Sequence, residues 1–181
     1  MRNLILMRHA KTEARNPGGD HARQLAPRGW SDCALIGQYL QSKALAPDRV
    51  LSSDATRTRE TVEAIRPLLP PGCQTDFSND LYLAEPEEIL QEIRTVPSDT
   101  RTLLVVGHNP GMHMLAFSLG SRAKRSQRSY IAGHFPTAAT AVFSFATNDW
   151  AAFAPGEGRL EHFVTAKSLR PAATGDDDDG D

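Results

Sequence analysis

Arginine and histidine side chains stand directly after two apolar runs of this sequence. Arg8 and His9 follow the run Leu4–Met7. His108 follows a second run, Thr102–Gly107. Continuous apolar runs of this length are typical of buried parallel strands. Because ligands bind at the carboxyl ends of the strands in open α/β sheets, we expect these side chains at one edge of a sheet.

Arg57 is the third candidate position. It lies in the first turns of a predicted helix that follows a short predicted strand, Arg49–Ser52. A cation near a helix N-terminus opposes the helix dipole by about 0.3–1 kcal/mol, and both Arg57 and Arg59 do so here. A bound anion at the start of this helix would offset that cost.

Together these residues predict phosphoryl transfer. The guanidinium groups of Arg8 and Arg57 can each bind phosphate oxygens through paired hydrogen bonds. A neutral imidazole can attack phosphorus in line, and a second, protonated imidazole can stabilise charge on the phosphate oxygens. We therefore expect one phosphate site that joins three strand ends.

The elements that position these residues alternate between strand and helix. We expect Ser53 or Asp54 to cap the helix of Arg57, and Asn109 to cap a later helix whose first residue is Pro110. The alternation predicts an α/β fold with a mostly parallel sheet, helices on both faces and an antiparallel edge near the C-terminus. The predicted strands are 4–7, 49–52, 74–77, 102–107, 137–146 and 160–166, and the first predicted helix is 27–45.

Length and charge indicate one domain with an acidic tail. A chain of 181 residues suits a single domain, which we place at residues 1–170, followed by a disordered tail at 171–181. The net charge of -2 includes five aspartates among the last six residues. Without these five aspartates, the chain has 20 basic and 17 acidic residues. This weak excess is compatible with an anionic substrate but argues against a nucleic-acid partner.

Several features indicate a cytoplasmic protein that acts away from membranes. The sequence has no apolar stretch long enough for a signal peptide or a membrane span. Cys33 and Cys73 do not form a disulfide framework pattern. The basic residues of 122–128 are interpreted as a solvated face, and the histidine spacing predicts no metal site.

The motifs together resemble the histidine phosphatase superfamily, whose members include phosphoglycerate mutases. The resemblance rests on Arg8-His9-Ala10 with Thr12, on Leu25–Gly29, on Ser52–Thr61 and on Gly107-His108-Asn109-Pro110-Gly111. Leu81-Tyr82 and the short chain are most similar to the SixA-type phosphohistidine phosphatase branch. The resemblance spans about residues 3 to 166. Ala10 and Ala26 depart from the superfamily pattern, which more usually has glycine and threonine there.

This resemblance implies a function for each candidate residue. His9 would be the nucleophile that becomes phosphorylated, and Arg8, Arg57 and His108 would complete the phosphate pocket. Water would then hydrolyse the phosphohistidine intermediate. The resemblance also implies a three-layer α/β/α fold, like that of phosphoglycerate mutase, and a reaction that needs no metal or other cofactor.

The general acid is not identified by the sequence. Glu85 is a candidate because of its loop position, and Asn109 stands where related acid phosphatases have aspartate. Asparagine cannot donate a proton as a general acid. A phosphorylated imidazole needs no such donor, because its second nitrogen can take a proton from water near neutral pH.

The sequence therefore predicts a phosphatase that forms a phosphohistidine intermediate and acts on phosphohistidine in a protein. One alternative is a small-molecule phosphomonoesterase or mutase in which Glu85 is the acid. A second alternative is a phosphate-binding module without catalysis. The intact set of Arg8, His9, Arg57 and His108 argues against that module.

Overall fold

A six-stranded mixed sheet forms the centre of the protein. The computed structural model describes residues 1–120, 131–154, 156 and 158–171. In these residues the strand order is β3-β2-β4-β1-β5-β6, in which the first four strands are parallel and β5 and β6 are antiparallel. The strands are β1 Arg2–Arg8, β2 Arg49–Ser53, β3 Gln74–Ser78, β4 Thr102–Gly107, β5 Thr140–Phe145 and β6 Arg159–Val164.

Helices cover both faces of this sheet. They are α1 Pro27–Ser42, α2 Thr56–Ile65, α3 Pro86–Arg94, α4 Gly111–Leu119 and the short α5 Ala166–Leu169, with 3-10 turns at Arg66–Leu68 and Asn79–Leu81. Successive strand residues point to opposite faces. Ile5 and Met7 accordingly pack in one core with α1, α2 and α5, whereas Leu4 and Leu6 pack in the other with α3 and α4.

The predicted architecture is confirmed, including the antiparallel edge near the C-terminus. The run Leu4–Met7 is fully buried in β1, between β4 and β5. The predicted strand at 74–77 is β3, which lies at one edge of the sheet. The candidate residues of the phosphate site therefore lie at or after the ends of the two central strands, β1 and β4, and after β2.

The predicted helix caps are wrong. The N-cap of α2 is Ala55 and that of α4 is Pro110, and neither side chain caps its helix. The expected caps bind elsewhere. Ser53 contacts His108, the carboxylate of Asp54 contacts His21, and the amide of Asn109 donates to the carbonyl of Phe135.

Several element boundaries also differ from the predicted ones, by one to three residues. Helix α1 ends at Ser42 rather than residue 45, and β5 begins at Thr140 rather than residue 137. Strand β6 ends at Val164 because the hydroxyl of Thr165 accepts a hydrogen bond from the backbone N–H of Ser168 and caps α5.

The predicted acidic tail beyond Pro171 and the basic residues of 122–128 lie outside the described residues. In the part that the structure describes, no helix is both long and apolar enough to cross a membrane. Cys33 and Cys73 are free thiols.

Candidate active site

The four predicted site residues lie together. Arg8, His9, Arg57 and His108 line one cavity of about 550 Å³, which we call the central cavity. It lies at the carboxyl ends of the parallel strands, where β1, β2 and β4 end. The imidazole centroids of His9 and His108 are 5.4 Å apart. The structure thus brings together residues that are about fifty positions apart in the sequence.

His9 is held in one orientation by the chain itself. Its backbone N–H donates to the carbonyl of Gly107 at 3.0 Å, which continues the β1–β4 pairing past Arg8. Its ring Nδ1 lies 2.8 Å from the carbonyl oxygen of Ala10, an acceptor, so Nδ1 bears the proton. Neutral His9 therefore has its lone pair on Nε2.

Burial keeps this imidazole uncharged. His9 is 7% exposed, and burial together with the charges of Arg57 and Arg8 lowers its pKa to about 4. Only the neutral ring has a lone pair for attack on phosphorus. At neutral pH, His9 is therefore in the nucleophilic form.

His108 is neutral as well. Its Nε2 lies 2.8 Å from the hydroxyl oxygen of Ser53, and the Tyr82 ring packs edge-on against its ring. Burial, Arg57 and His9 lower its pKa to about 3. Because the buried ring lies beside a guanidinium group, its neutral form is favoured here. The expected protonated imidazole concerns the ring beside a bound phosphate and stays a prediction. A neutral imidazole still donates one N–H.

The two guanidinium groups of the cavity belong to different elements, a helix and a strand. Arg57, in the first turn of α2, is 2% exposed. Arg8, at the end of β1, donates from Nη1 to the carbonyl of Phe135 at 3.1 Å. Burial and the charge of Arg57 lower the pKa of Arg8. The two guanidinium groups repel each other, and an anion bound between them would offset this electrostatic repulsion.

Unpaired buried polar atoms are concentrated at the central cavity. Within the described residues, six buried side-chain polar atoms have no hydrogen-bond partner, and four of these belong to residues of the central cavity. The four atoms are Nε of Arg8, Nε of Arg57, Nδ1 of His108 and Oδ1 of Asn109. Buried donors without partners are rare in native proteins. Three nitrogen atoms here can donate to an anion.

Asp20 is a site residue that the sequence analysis missed. Its carboxylate oxygen Oδ2 accepts hydrogen bonds from Arg57 at 3.0 Å and from the Tyr82 hydroxyl at 2.7 Å. The other oxygen accepts from Arg23 at 3.1 Å. The hydrogen bonds from Tyr82, Arg23 and Arg57 hold the pKa of this carboxyl well below its usual range. Asp20 is therefore an ionised carboxylate.

Thr61 is a second missed residue, and it links the loop after His9 to α2. Its hydroxyl oxygen accepts from the backbone N–H of Ala10 at 3.1 Å and donates to the carbonyl of Arg57 at 2.7 Å. Ala10 and Thr61 are both fully buried. The same side chain thus fixes the acceptor of the His9 ring and the backbone of Arg57.

The candidate general acids lie in different places. Glu85 is exposed at the N-terminus of α3 and does not line the central cavity, although Leu83 does. Asn109 lines the cavity but can donate no acidic proton. Among the described residues that line the cavity, the only carboxyl group is that of Asp20. The described residues include no cluster of three or more side chains arranged to hold a metal ion.

Comparison with known proteins identifies the family. Residues 4–81 match the model of the histidine phosphatase superfamily (branch 1). An uncharacterized protein from Mycobacterium tuberculosis is 38% identical over 161 residues, which are 87% of this chain and 98% of that protein. The chain belongs to the histidine phosphatase superfamily, as its motifs predicted.

Solved structures assign the chain to one branch of this superfamily. A protein from Nakamurella multipartitia, provisionally named phosphohistidine phosphatase SixA, superposes with a TM-score of 0.79 at 31% identity, over 90% of this chain and 95% of that one. A protein from Agrobacterium tumefaciens with the same provisional name gives 0.75 at 26% identity, over 91% and 97%. The chain is thus a SixA-type phosphatase with a phosphoglycerate mutase-like α/β fold. This result argues against the non-catalytic alternative.

Proposed function

We propose that this phosphatase hydrolyses phosphohistidine in proteins and that His9 is its nucleophile. The observation that supports this most directly is the orientation of His9. The contact from Nδ1 to the Ala10 carbonyl at 2.8 Å leaves Nε2 unprotonated in the neutral ring. The low pKa of about 4 keeps the ring neutral.

In the first step, the second nitrogen of the substrate imidazole takes a proton from water, and Nε2 of His9 attacks phosphorus while the bond from phosphorus to the substrate nitrogen breaks. The electron pair of that bond stays on the substrate nitrogen, so neutral histidine departs, and the phosphoryl group becomes attached to His9. In the second step, water attacks phosphorus, the bond to Nε2 breaks, and inorganic phosphate leaves with a proton lost to solvent. His9 returns to its neutral form.

Arg8, Arg57 and His108 stabilise the transferred group in this mechanism. Their unpaired Nε and Nδ1 atoms are the donors available to the phosphate oxygens. Donors that are fixed before the reaction need no reorganisation as charge develops, so they favour the transition state. The Asp20 carboxylate fixes the orientation of Arg57 from its other side.

The chemistry of the leaving group favours phosphohistidine. Release of an alkoxide from a phosphomonoester needs a proton donor, whereas the ionised Asp20 is the only carboxyl group among the described residues of the central cavity. A departing imidazole can be protonated by water at its second nitrogen, since its pKa is about 6.5. A cavity without an acid therefore suits a phosphorus–nitrogen bond.

The central experiment compares a phosphohistidine-bearing protein with a small aryl phosphate. Wild type should hydrolyse the phosphoprotein at the higher kcat/KM, and His9→Ala should lose that activity. Acid-labile phosphate should be trapped on wild type but not on His9→Ala. A matched control is His162→Ala, because His162, on β6, contacts Tyr39 of α1 and does not line the cavity.

Two outcomes would contradict the proposal. Turnover of the aryl phosphate alone would indicate the small-molecule alternative, which also predicts a large loss of activity in Glu85→Gln. We expect Glu85→Gln to stay close to wild type, because Glu85 is exposed and does not line the cavity. Phosphate binding without turnover of either substrate would exclude the mechanism.

A further inference from the structure

A second cavity continues from the central cavity along the surface. It has a volume of about 480 Å³ and shares Lys11 and Thr137 with the central cavity. We call it the Lys167 groove, after the exposed lysine of α5 that lines it. Any chain attached to a side chain in the central cavity must leave through its mouth. Lys11, which lines both cavities, is exposed, so the groove adjoins the central cavity at the protein surface.

The segment before β5 contributes to both cavities, since Thr137 lines each of them. The Phe135 carbonyl accepts hydrogen bonds from Arg8 at 3.1 Å and from Asn109 at 2.9 Å. Pro136 and Thr137 continue this segment into the Lys167 groove. The groove is therefore fixed to the residues that hold Arg8, and its position relative to the central cavity is set.

The free charges of the groove are positive. Among the described residues that line the groove, the one carboxylate is that of Asp32, which is buried and forms ion pairs with Arg170 and, at 3.9 Å, with Arg28. Within the described residues, Lys11 and Lys167 form no ion pair. Arg28, Lys11 and Lys167 are exposed cations that line a single concave surface.

The floor of the groove offers side chains rather than a helix terminus. Thr165 and Ser168 cap α5 reciprocally, since each hydroxyl accepts from the other residue's backbone N–H at 3.1–3.2 Å. Those N–H groups are therefore already bound. The cationic side chains of the groove remain available for recognition.

We propose that the Lys167 groove binds an acidic segment of the substrate protein that flanks the phosphohistidine. This inference rests on the proposed function, because it requires a substrate that is a polypeptide. The phosphoryl group occupies the central cavity, and carboxylates next to it in the substrate lie against Lys11, Arg28 and Lys167. Exposed pairs of this kind are individually weak, so the groove tunes selection among phosphoproteins rather than anchoring them.

Two fluorescent peptides test this assignment by binding alone. Each contains a non-hydrolysable phosphoryl-triazole analogue of phosphohistidine, flanked by aspartates in one peptide and by asparagines in the other. Fluorescence anisotropy with the full chain gives the two Kd values. At low salt, wild type should bind the aspartate peptide about fivefold more tightly, and higher salt should reduce the difference.

Two lysine-to-glutamate variants, which change the net charge equally, show whether the preference for the aspartate peptide depends on the groove. Lys167→Glu should abolish the preference for the aspartate peptide. Lys43→Glu should keep it, because Lys43 is an exposed lysine next to α1 that lines neither cavity. Lys167 does not line the central cavity, so turnover of a small aryl phosphate by Lys167→Glu reports that the fold is intact.

Equal Kd values in wild type, no binding of either peptide, or a preference that survives Lys167→Glu would overturn the assignment. A preference that arises only after the five tail aspartates are replaced by asparagine would also overturn it, since the chain's own tail would then fill the groove. Loss of phosphohistidine turnover with an intact aspartate preference would contradict the proposed function but support the groove.

Discussion

Asp20 binds Arg57 with two different groups. The carboxylate of Asp20 accepts from Nη2 of Arg57 at 3.0 Å, and its backbone carbonyl accepts from Nη1 at 2.7 Å. The guanidinium group is thereby oriented with only Nε unpaired. An ionised carboxylate thus lies in a cavity that we propose for a phosphate, so the two anions share one arginine.

Replacement of this charge should strengthen the binding of phosphate. Asp20→Asn keeps an oxygen acceptor for Arg57 and Tyr82 but removes one negative charge from the cavity. We expect inorganic phosphate to inhibit this variant about fivefold more strongly than wild type, because the repulsion between two anions is removed. The measurement is the inhibition constant with an aryl phosphate as substrate. An inhibition constant equal to or higher than that of wild type would contradict the expected repulsion between Asp20 and phosphate.

A suitable control is Asp76→Asn. Asp76 is an exposed aspartate on β3 that also pairs with an arginine, Arg49, but lies outside the central cavity. This variant should leave phosphate inhibition unchanged.

Ser53 should matter to catalysis although it does not line the cavity. Its hydroxyl lies 2.8 Å from Nε2 of His108 and fixes which ring nitrogen remains for the phosphate. We expect Ser53→Ala to lower kcat about tenfold with a smaller change in KM, which is typical for the loss of a group that orients a site residue. Steady-state kinetics on an aryl phosphate measures both.

The neighbouring serine provides the comparison. Ser52 is equally buried, but its hydroxyl donates to the backbone carbonyl of Ser53 rather than to a site residue. Ser52→Ala should therefore leave kcat within about twofold of wild type. Equal losses in both variants would mean that Ser53 acts only through packing.

Sequence alone could locate Arg8, His9 and His108, because Arg8 ends β1 and the two histidines directly follow β1 and β4. Their strands are fully buried runs, and such runs are visible as uninterrupted apolar residues. Arg57 could be found because a cation in the first turn of a helix is unfavourable without an anion. The parallel sheet itself follows from the alternation of strands and helices.

The missed residues are those joined by long-range hydrogen bonds. Asp20 is 37 positions from Arg57 and 62 positions from Tyr82, and it lies in a Gly-Gly-Asp turn that suggests only a loop. The lowered pKa of His108 is also invisible in the sequence. Protonation depends on burial and on the distance to Arg57, and neither quantity can be obtained from the residue types.

The two low histidine pKa values make the stability of the fold depend on pH. In the unfolded chain both imidazoles have a pKa of about 6.5, whereas in the fold the values are about 4 for His9 and about 3 for His108. Between these values the unfolded state binds more protons, so the free energy of unfolding falls as the pH is lowered from about 6.5 towards 4.

Chemical denaturation at about pH 7.5 and about pH 5 should reveal this loss, which amounts to roughly 2 kcal/mol for each imidazole. The double variant His9→Gln with His108→Gln should lose most of the difference. An unfolding free energy that is equal at the two pH values in wild type would show that the imidazoles titrate normally in the fold.

Gly29 should be required for the shape of the central cavity, because its helix lies against the loop that follows His9. A Cβ atom at Gly29 would lie 2.2 Å from the backbone oxygen of Lys11. That oxygen also accepts from the N–H of Ala26 at 2.9 Å, so the loop cannot shift without loss of a hydrogen bond. We expect Gly29→Ala to destabilise the fold by about 1–3 kcal/mol.

The same substitution should reduce kcat/KM on an aryl phosphate about tenfold, because Lys11 and its neighbours line the cavity and a small displacement of site residues is costly. Gly133→Ala is the control, since its added Cβ would meet no atom of the described residues within 4 Å. Thermal unfolding and steady-state kinetics measure both effects. If Gly29→Ala lost stability but kept kcat/KM at temperatures where it is folded, the helix would support the loop without determining the position of His9.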